Sequence, residues 1–292
     1  MISQDEYPLA QLQAGQHLTI RSPNIRPTAS GSDSTESLET ESSATYTISN
    51  LKTLVKRPNS NVFVGRHSKL GRIAVKAVRT KDYAYSIIPK LAQNFENEIK
   101  LMSDIDHVRL KVIESRKRGE LIRVQPSIIK FRGSDARLFS IYMEHLNYPD
   151  LSNQLDKKGF FNGKPGDAKH ILEDMASALD YIHGQGISHN DIKPGNIIFD
   201  RSRGAVLIDF GLSRRSLCDS TGGTPWYVPR GSSQKQGAAK RDIFAMGVTM
   251  LYLLRETRLP EREPQWNIFK AKTDPDSKDH VTMTAWLDKI EA

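Results

Sequence analysis

One stretch of the chain, SHNDIKPGNIIFD, constrains the fold more than any other. It places a histidine, a carboxylate, an ammonium group and a carboxamide close together and then enters the apolar run Ile197–Phe199. A second apolar run, Ala205–Ile208, follows the polar turn DRSRG, so the pattern predicts a β-hairpin. Because paired strands lie about 4.8 Å apart, Asn196 before the first strand and Asp209 after the second are expected to lie together.

The two residues at the open end of this hairpin have the chemistry of a magnesium site. Mg²⁺ prefers oxygen ligands and usually takes only one or two of them from the protein, with phosphates and water completing its shell. The carboxamide of Asn196 and the carboxylate of Asp209 supply such oxygens and are the predicted metal ligands. Asp209 leads into Phe210 and Gly211, where glycine permits a backbone turn that a side chain would obstruct.

Upstream of this stretch, apolar runs and turns alternate as in a sheet. Strands are predicted at Val62–Val64, Ile73–Val78, Ser127–Phe131 and Leu138–Met143. Apolar residues at helical spacing predict one helix over Phe95–Ile105. The first half of the chain is therefore expected to be mainly a sheet with a single helix.

The second half is predicted to be mainly helical. Asp167 is expected to cap a helix that ends at Gly184 and Gly186; its apolar face comprises Ile171, Met175, Leu179 and Ile182. Residues Asp242–Leu254 are apolar nearly all round, which predicts a buried helix, and residues 284–292 can form a short one. A small sheet lobe followed by a helical lobe predicts an α+β fold with a ligand cleft between the lobes.

Composition and charge exclude several classes of protein. The net charge of +8 fits partners that carry phosphate or acidic groups but selects no fold. Cys218 is the only cysteine, which excludes an intrachain disulfide framework and a cysteine-based zinc site and indicates an intracellular location, cytoplasmic or nuclear. The longest apolar run, Ile243–Leu254, is too short to cross a bilayer of about 30 Å. The basic run Arg116–Arg118 is expected to be a solvated loop, and without interleaved aromatic residues it does not favour nucleic-acid binding.

The N-terminal region differs in amino-acid composition from the rest of the chain. Residues 22–46 carry eleven serines and threonines and few large apolar groups. They cannot bury enough surface to offset the entropy lost on folding, so this region is expected to be disordered. The preceding segment LAQLQAGQHLTI has some apolar content and no assignable role.

HNDIKPGN, with Asp-Phe-Gly beginning eighteen residues after Asp191, resembles the catalytic loop and metal-binding motif of eukaryotic protein kinases. Lys193, together with Thr224, resembles the serine/threonine type. Four further motifs follow in the family order. IAVK (73–76) resembles the strand that carries the ATP-binding lysine, and YMEHL (142–146) resembles the hinge that receives the adenine. GGTPWYVP (222–229) resembles the end of the activation segment, and RDIFAMG (241–247) resembles the start of the central helix. Together the motifs cover residues 50–260 approximately.

The resemblance implies a role for each residue of the phosphate-transfer site. Asp191 would accept or orient the proton of the substrate hydroxyl, and Lys193 would neutralise charge on the transferring phosphoryl group. Asn196 and Asp209 would hold Mg²⁺ and contribute to the ATP site. Thr224 would form a hydrogen bond near Asp191.

The resemblance also implies a nucleotide-binding set. Lys76 would hold the α- and β-phosphates of ATP, with Glu98 as its ion-pair partner and Glu96 as the alternative. The other predicted cofactor-binding residues are Val62, Ala74, Met143, Glu144 and Leu146. His189 is expected to be a packed structural ring and Asp242 to brace the catalytic loop.

In domain terms, the resemblance predicts a two-lobed fold of the α+β class. Residues 1–46 would be mostly disordered, residues 47–146 would form a small, mainly antiparallel N-terminal lobe with one helix up to the hinge, and residues 147–292 would form a mainly helical, shortened C-terminal lobe. Only 38 residues follow Leu254, too few for the three helices that the family usually has there.

Three features depart from the family pattern. The glycine-rich loop has Val55, Arg57 and Ser60 at its three glycine positions, so side chains replace the bare backbone that approaches phosphate. Asn190 replaces the arginine that pairs with a phosphorylated activation loop, so activity is expected not to require phosphorylation of Ser213, Ser216, Ser220 or Thr221. Arg230 replaces a glutamate whose partner lies in the shortened region.

The sequence therefore predicts a serine/threonine protein kinase whose cofactors are ATP and Mg²⁺ and whose partner is a protein substrate with serine or threonine hydroxyls. The alternative is a catalytically weak or inactive kinase-like module, a pseudokinase, that binds nucleotide or a partner. Kinase chemistry on a small molecule is a third reading, which the GTPWY loop disfavours. The sequence leaves the oligomeric state open.

Overall fold

The computed structural model of this chain describes the following residues: 14–15, 17–20, 45–57, 60–78, 88–117, 125–164, 166–216, 222–229, 237–262 and 274–291. Most of the region expected to be disordered, 22–46, lies outside these ranges, as do Cys218, Ser220, Thr221 and Arg230. None of the helices in the described ranges combines the length and hydropathy needed to span a membrane.

The N-terminal half forms one antiparallel sheet of six strands in the order β1-β2-β3-β4-β6-β5. The strands are β1 (Leu18–Ile20), β2 (Tyr46–Lys56), β3 (Ser60–His67), β4 (Gly71–Val78), β5 (Phe131–Asp135) and β6 (Ser140–Glu144). Strands β3, β4 and β6 overlap three of the predicted strands. Neighbouring strands pair in sequence order except that β6 lies between β4 and β5.

Strands β1 and β2 were not predicted, and each for a physical reason. In β2 the pairing register with β3 shifts between Ser49 and Lys52, and Asn50 adopts φ 55°, so a bulge breaks the alternation of inward and outward residues that identifies a strand. Strand β1 lies in the segment LAQLQAGQHLTI and pairs with β2, with Ile20 opposite Tyr46. Three residues are too short to show a period in the sequence.

The strand predicted over Ser127–Phe131 is wrong. Ile128 forms only an isolated bridge to Leu207, and β5 begins at Phe131. The backbone of Ile129 donates to Leu207 and that of Leu207 donates to Ser127, at 3.0 and 2.9 Å. Because Ile128 and Ile129 are buried as strand residues are, periodicity alone did not distinguish this linking segment from a strand.

The sheet curls around an apolar core. Alternate residues of β4, Ile73, Val75 and Ala77, face this core together with Ile48 of β2 and Tyr142 of β6. The Tyr46 hydroxyl of β2 donates to the Asp135 carboxylate of β5, although three strands separate β2 from β5 in the sheet order. Such a contact requires strong curvature, in keeping with the twist of antiparallel sheets.

The described residues also contain four α-helices and a hairpin: α1 (Ile88–Lys117), α2 (Asp167–His183), β7 (Ile197–Asp200), β8 (Gly204–Leu207), α3 (Ala238–Leu253) and α4 (Lys278–Glu291). The predicted hairpin and the predicted helices α2 and α3 are confirmed, and α4 contains the predicted short helix. Helix α1 extends well beyond Phe95–Ile105 and includes Arg116, so the expectation of a loop at Arg116–Arg118 is wrong as far as Lys117.

Two details of the helices differ from prediction. Asp167 is the first residue of α2 and its cap is Gly166; the Asp167 carboxylate instead accepts the backbone N–H of Lys164 at 2.7 Å and forms an ion pair with Arg201 at 2.6 Å. In α3 most residues are buried, but Ile243 is 57% exposed, so the helix is not enclosed on every side.

The described residues form two compact units. One comprises residues up to 91 together with 131–145 and contains the sheet; the other comprises 92–130 and the residues from 146 onward and is mainly helical. An antiparallel sheet in one unit and helices in the other confirm the predicted α+β class. The domain limits 1–46, 47–146 and 147–292 stay predictions.

Candidate active site

The β7–β8 hairpin places the two predicted metal ligands at one end. Ile197 pairs with Leu207, and the Ile208 N–H donates to the Asn196 carbonyl at 2.9 Å, which extends the ladder by one residue. Asn196 therefore lies opposite Ile208, directly beside Asp209. Asp209 adopts φ 66°, a conformation that costs about 1–3 kcal/mol in a non-glycine residue and persists where function or surroundings demand it.

A buried carboxylate holds the loop before the hairpin. Asp242 of α3 is 1% exposed and accepts the backbone N–H groups of His189 and Asn190, each at 2.8 Å. The same carboxylate lies 2.9 Å from Nε2 of His183 at the end of α2. Asp242 thus fixes the loop to two helices of the same unit, the bracing role that was expected of it.

His189 has the geometry of a structural ring. It is fully buried and packs edge-on against Phe210 with ring centroids 5.0 Å apart. Its Nδ1 accepts the backbone N–H of Asp191 at 3.3 Å, so Nε2 carries the proton and donates to the Ile208 carbonyl at 3.2 Å. Burial lowers the pKa of His189 despite nearby carboxylates, so the ring is neutral and orients the backbone of Asp191.

The Asp191 carboxylate is the most heavily bonded group of the site. Its Oδ1 accepts the Thr224 backbone N–H at 3.0 Å and the Thr224 hydroxyl at 2.7 Å. Its Oδ2 accepts Lys193 Nζ at 2.7 Å and Asn196 Nδ2 at 2.9 Å. The structure therefore brings together Asp191, Lys193 and Asn196, and it confirms the expected hydrogen bond of Thr224.

These contacts decide the charge of Asp191. Burial by itself raises the pKa of the Asp191 carboxyl, but the Lys193 ammonium and the hydrogen bonds from Lys193 and Thr224 outweigh it, and the net pKa is lowered. Asp191 is therefore an anion at neutral pH. Lys193 Nζ also donates to the Thr224 hydroxyl at 2.7 Å, which completes a closed ring of three side chains.

The residues at the hairpin end fit a magnesium ion that also binds phosphate. Asn196 is fully buried and its Nδ2 donates to both the backbone and the carboxylate of Asp191. The carbonyl oxygen of that amide is then the atom suited to ligate a cation. Together with the half-buried Asp209 carboxylate it would supply two oxygen ligands, the small protein share that Mg²⁺ takes when phosphates and water supply the rest.

In the sheet unit, the strand register gathers four of the predicted nucleotide-binding residues on one face. Val62 pairs with Lys76, and Ala74 pairs with Met143. Ala74 and Lys76 are two residues apart in β4 and so point to the same side. All of these except the partly exposed Val62 are buried. Glu144 pairs with Ile73 and therefore lies on the opposite face.

The remaining predicted residues lie on the second unit. Leu146 follows the end of β6, and Glu98 lies on α1. Glu98 is 5% exposed, whereas Glu96 is exposed to solvent. Which of the two glutamates pairs with Lys76 stays a prediction, with Glu98 as the expected partner and Glu96 as the alternative.

The departures from the family pattern have local structural counterparts. Val55 lies on β2 opposite Val62, and the Arg57 N–H donates to the Ser60 carbonyl at 2.9 Å across the β2–β3 turn. Asn190 adopts φ 66°, and its Nδ2 donates to the Ser188 hydroxyl at 3.0 Å and the Leu212 carbonyl at 3.2 Å.

That activity does not require phosphorylation of the activation segment stays a prediction. Ser213 is fully buried and its hydroxyl donates to the His189 carbonyl, so a kinase could reach it only after local opening.

Sequence reasoning missed two contacts that hold the segment around Thr224. The Tyr227 hydroxyl donates to the carboxylate of Glu261, 3.0 Å from Oε2, and Arg241 donates to the Gly222 carbonyl at 2.8 Å. Neither contact follows a spacing rule, because each joins a loop to a distant element. The motif RDIFAMG includes Arg241, but nothing in the sequence indicated its partner.

Comparison with known proteins agrees with this geometry. A family model described as the protein kinase domain matches residues 58–286, which is most of the chain. Similar curated proteins include the serine/threonine/tyrosine-protein kinase HT1 of Arabidopsis thaliana, CBL-interacting protein kinase 5 of rice, and an Aurora kinase of Eremothecium gossypii.

The identities to these relatives are low but extend over most of this chain. They are 24% over 210 residues for HT1, 28% over 210 residues for the rice kinase and 29% over 214 residues for the Aurora kinase. The aligned parts cover 67%, 67% and 70% of this chain, and 49%, 44% and 51% of the respective relatives. The chain thus spans about half the length of the curated relatives it matches.

Proposed function

Because the chain belongs to the protein kinase family, we propose that it transfers the γ-phosphate of ATP to serine and threonine hydroxyls of protein substrates, with Mg²⁺ as the metal. The observation that carries this proposal is the Asp191 carboxylate, held as an anion by Lys193, Asn196 and Thr224. Transfer of a phosphoryl group requires positioning and charge neutralisation more than covalent chemistry by the protein.

Each side chain of this arrangement has a task in the proposed reaction. Asp191 orients the substrate hydroxyl and accepts its proton. Lys193, 2.7 Å from Asp191, neutralises charge that develops on the transferring group. Asn196 and Asp209 would hold the metal, and the bound ion would offset negative charge on the phosphates. Lys76, paired with Glu98, would hold the α- and β-phosphates. Val62, Ala74, Met143 and Leu146 would surround the base, and Glu144, whose side chain lies on the other face of the sheet, would contact it through its backbone.

The choice of serine and threonine as acceptors rests on two supports. Lys193 lies two residues after Asp191 and also contacts Thr224, the pattern of the serine/threonine type. The second support is the name of one relative, HT1, a serine/threonine/tyrosine-protein kinase; the names of the rice kinase and the Aurora kinase state no acceptor residue.

A second function is favoured by the β2–β3 turn. Side chains at Val55, Arg57 and Ser60 replace the glycines that let backbone N–H groups approach phosphate. A protein of this kind could bind nucleotide or a partner and yet transfer phosphate slowly or not at all. The two functions differ in one observable, the transfer of phosphate itself.

Transfer of labelled γ-phosphate to a generic basic protein and to the chain itself tests the proposal. We expect transfer by the wild type, its loss by at least about a hundredfold in Asp191→Asn, and full retention in Asp276→Asn, the same substitution at an exposed position. Equal transfer by the wild type and Asp191→Asn would contradict the proposed role. A wild type that binds Mg-ATP but transfers nothing would establish the second function.

A further inference from the structure

Arg241 is a buried cation that the proposed mechanism does not use. It lies in α3, directly before Asp242, and is 9% exposed. Burying a guanidinium is costly unless hydrogen bonds and nearby charge compensate it. Burial lowers the pKa of Arg241, whereas the neighbouring Asp242 raises it, and the group remains charged at any physiological pH. A buried charge at this place calls for a specific task.

One hydrogen bond of Arg241 indicates this task. Its guanidinium donates to the Gly222 carbonyl at 2.8 Å. Gly222 and Gly223 both have positive φ angles, 91° and 103°, so this piece of backbone adopts a conformation that few residues tolerate. A Cβ at Gly223 would lie 2.8 Å from the Asn190 carbonyl oxygen, so the backbone crosses the catalytic loop in close contact.

The held segment leads directly to the reactive carboxylate. Thr224 follows Gly223, and its N–H and hydroxyl both donate to Asp191 Oδ1. The carbonyl held by Arg241 and the N–H that binds Asp191 therefore belong to consecutive peptide units, joined at the Cα of Gly223. Because the backbone at Gly223 packs closely against the Asn190 carbonyl, it has little room to absorb a displacement of Gly222 before Thr224 moves as well.

The amide of Asn190, in the catalytic loop, donates to the Ser188 hydroxyl and the Leu212 carbonyl. A small cavity bordered by Asp191, Thr224 and Arg241 lies at the Arg241 side chain. Methionine keeps much of the bulk of arginine but has none of its N–H donors, so Arg241→Met removes mainly the hydrogen bond.

We propose that Arg241 is a positioning residue for the substrate-docking segment Gly222–Tyr227, which it fixes from α3 so that Thr224 stays bound to Asp191. This inference rests on the proposed function for its effect on phosphate transfer. The segment Gly222–Tyr227 is thus anchored by α3. Arg241 therefore controls the affinity for the protein substrate and leaves the affinity for ATP unchanged.

The first measurement needs no activity: amide hydrogen exchange of the peptide that contains residues 222–227. Arg241→Met removes the donor, and we expect exchange in this peptide to quicken by at least about tenfold, the loss of one charge-assisted hydrogen bond. Arg241→Lys keeps a charged donor and should restore part of the protection. Arg255→Met is the matched control, because Arg255 also donates to a backbone carbonyl, that of Phe161 at 2.8 Å, away from the catalytic loop.

The second measurement is steady-state transfer to a protein substrate. In Arg241→Met the KM for the protein should rise while the KM for ATP stays unchanged, and Arg255→Met should match the wild type. Unchanged exchange in Arg241→Met would overturn the positioning role whether or not the chain is active. Faster exchange throughout α3, equal in the Met and Lys variants, would also overturn it, since the residue would then be structural. An inactive wild type with the expected exchange pattern would instead count against the proposed function alone.

Discussion

Two aspartates of the candidate site show how surroundings divide roles between identical side chains. Asp242 accepts two backbone N–H groups that are part of the folded loop and are not exchanged during a reaction. Asp191 is bound mainly by the side chains of Lys193, Asn196 and Thr224, which can rearrange when a substrate hydroxyl arrives. Asp242 is accordingly an anchor and Asp191 the proposed catalytic residue.

These roles were predictable to different degrees. The family motif identified Asp191, Lys193, Asn196 and Asp209 because their spacing lies within one loop and one hairpin. It could not identify the contact of Arg241 with Gly222, which joins residues of two separate elements. Spacing encodes local geometry, whereas side-chain contacts between distant elements depend on packing that no short pattern records.

Asp135 offers a test at the residue scale away from the active site. Its carboxylate accepts hydrogen bonds from Tyr46 and Arg137. Burial raises the pKa of Asp135, but the hydrogen bonds and charge of Arg137 together with Tyr46 bring it below its usual 3.8. The ionised form thus stabilises the sheet unit, and we expect Asp135→Asn to lower the free energy of unfolding by about 1–3 kcal/mol at neutral pH.

The pH dependence of this effect has a definite sign. Since the folded-state pKa lies below the unfolded one, the stabilisation is complete above the unfolded value and is lost as pH falls through the folded value. Urea unfolding of wild type and Asp135→Asn should therefore differ by a constant amount from pH 8 to about pH 5, and the difference should begin to shrink only as the pH falls below about 4. Asp276→Asn serves as the control, and a difference that grows on acidification would refute the assignment.

At the scale of elements, the β7–β8 hairpin was the most predictable part of the molecule. Its strands, its turn and the residues at its ends lie within fourteen consecutive positions, 196–209. Strand β2 was not predictable, because the bulge at Asn50 breaks its alternation, and the segment Ser127–Phe131 was misread because it is buried as a strand would be. Local patterns succeed where the structure is regular and fail where tertiary contacts override them.

Gly204 tests how the hairpin is held. It has φ 83°, and a Cβ there would lie 2.7 Å from Asp174 Oδ2. The Asp174 carboxylate also accepts the Ala205 N–H at 2.7 Å and the Ser127 hydroxyl at 3.3 Å, so it cannot move aside without losing them. We expect Gly204→Ala to cost the strain of a left-handed alanine, about 1–2 kcal/mol, plus about 1–3 kcal/mol from the displaced hydrogen bonds.

Gly186→Ala separates the two contributions. Gly186 also has a positive φ, 72°, but a Cβ there would meet no atom within 4 Å. Chemical denaturation should show a loss of about 1–2 kcal/mol for this variant and a clearly larger one for Gly204→Ala. Equal losses would mean that Asp174 does not hold the hairpin in the way described.

At the scale of the whole molecule, a sheet unit and a mainly helical unit each supply part of the proposed chemistry. The sheet unit presents Lys76 on the same face as Val62, Ala74 and Met143. The helical unit presents the hairpin end and the loop around Asp191. The order of motifs along the chain predicted this division, because strands precede helices. It did not predict β1, a short strand that joins the sheet from the N-terminal region.

The proposed function depends most on the β7–β8 hairpin, whose end would provide two ligands for one divalent cation. Calorimetric titration with ATP, in the presence and absence of Mg²⁺, measures this directly in the wild type, Asp209→Asn and Asp200→Asn. Asp200 lies at the other end of the same hairpin and is the control. We predict that Mg²⁺ increases the affinity of the wild type and of Asp200→Asn for ATP. In Asp209→Asn this increase in affinity should be smaller by a factor of at least about ten. An equal effect of Mg²⁺ on all three proteins would contradict the account.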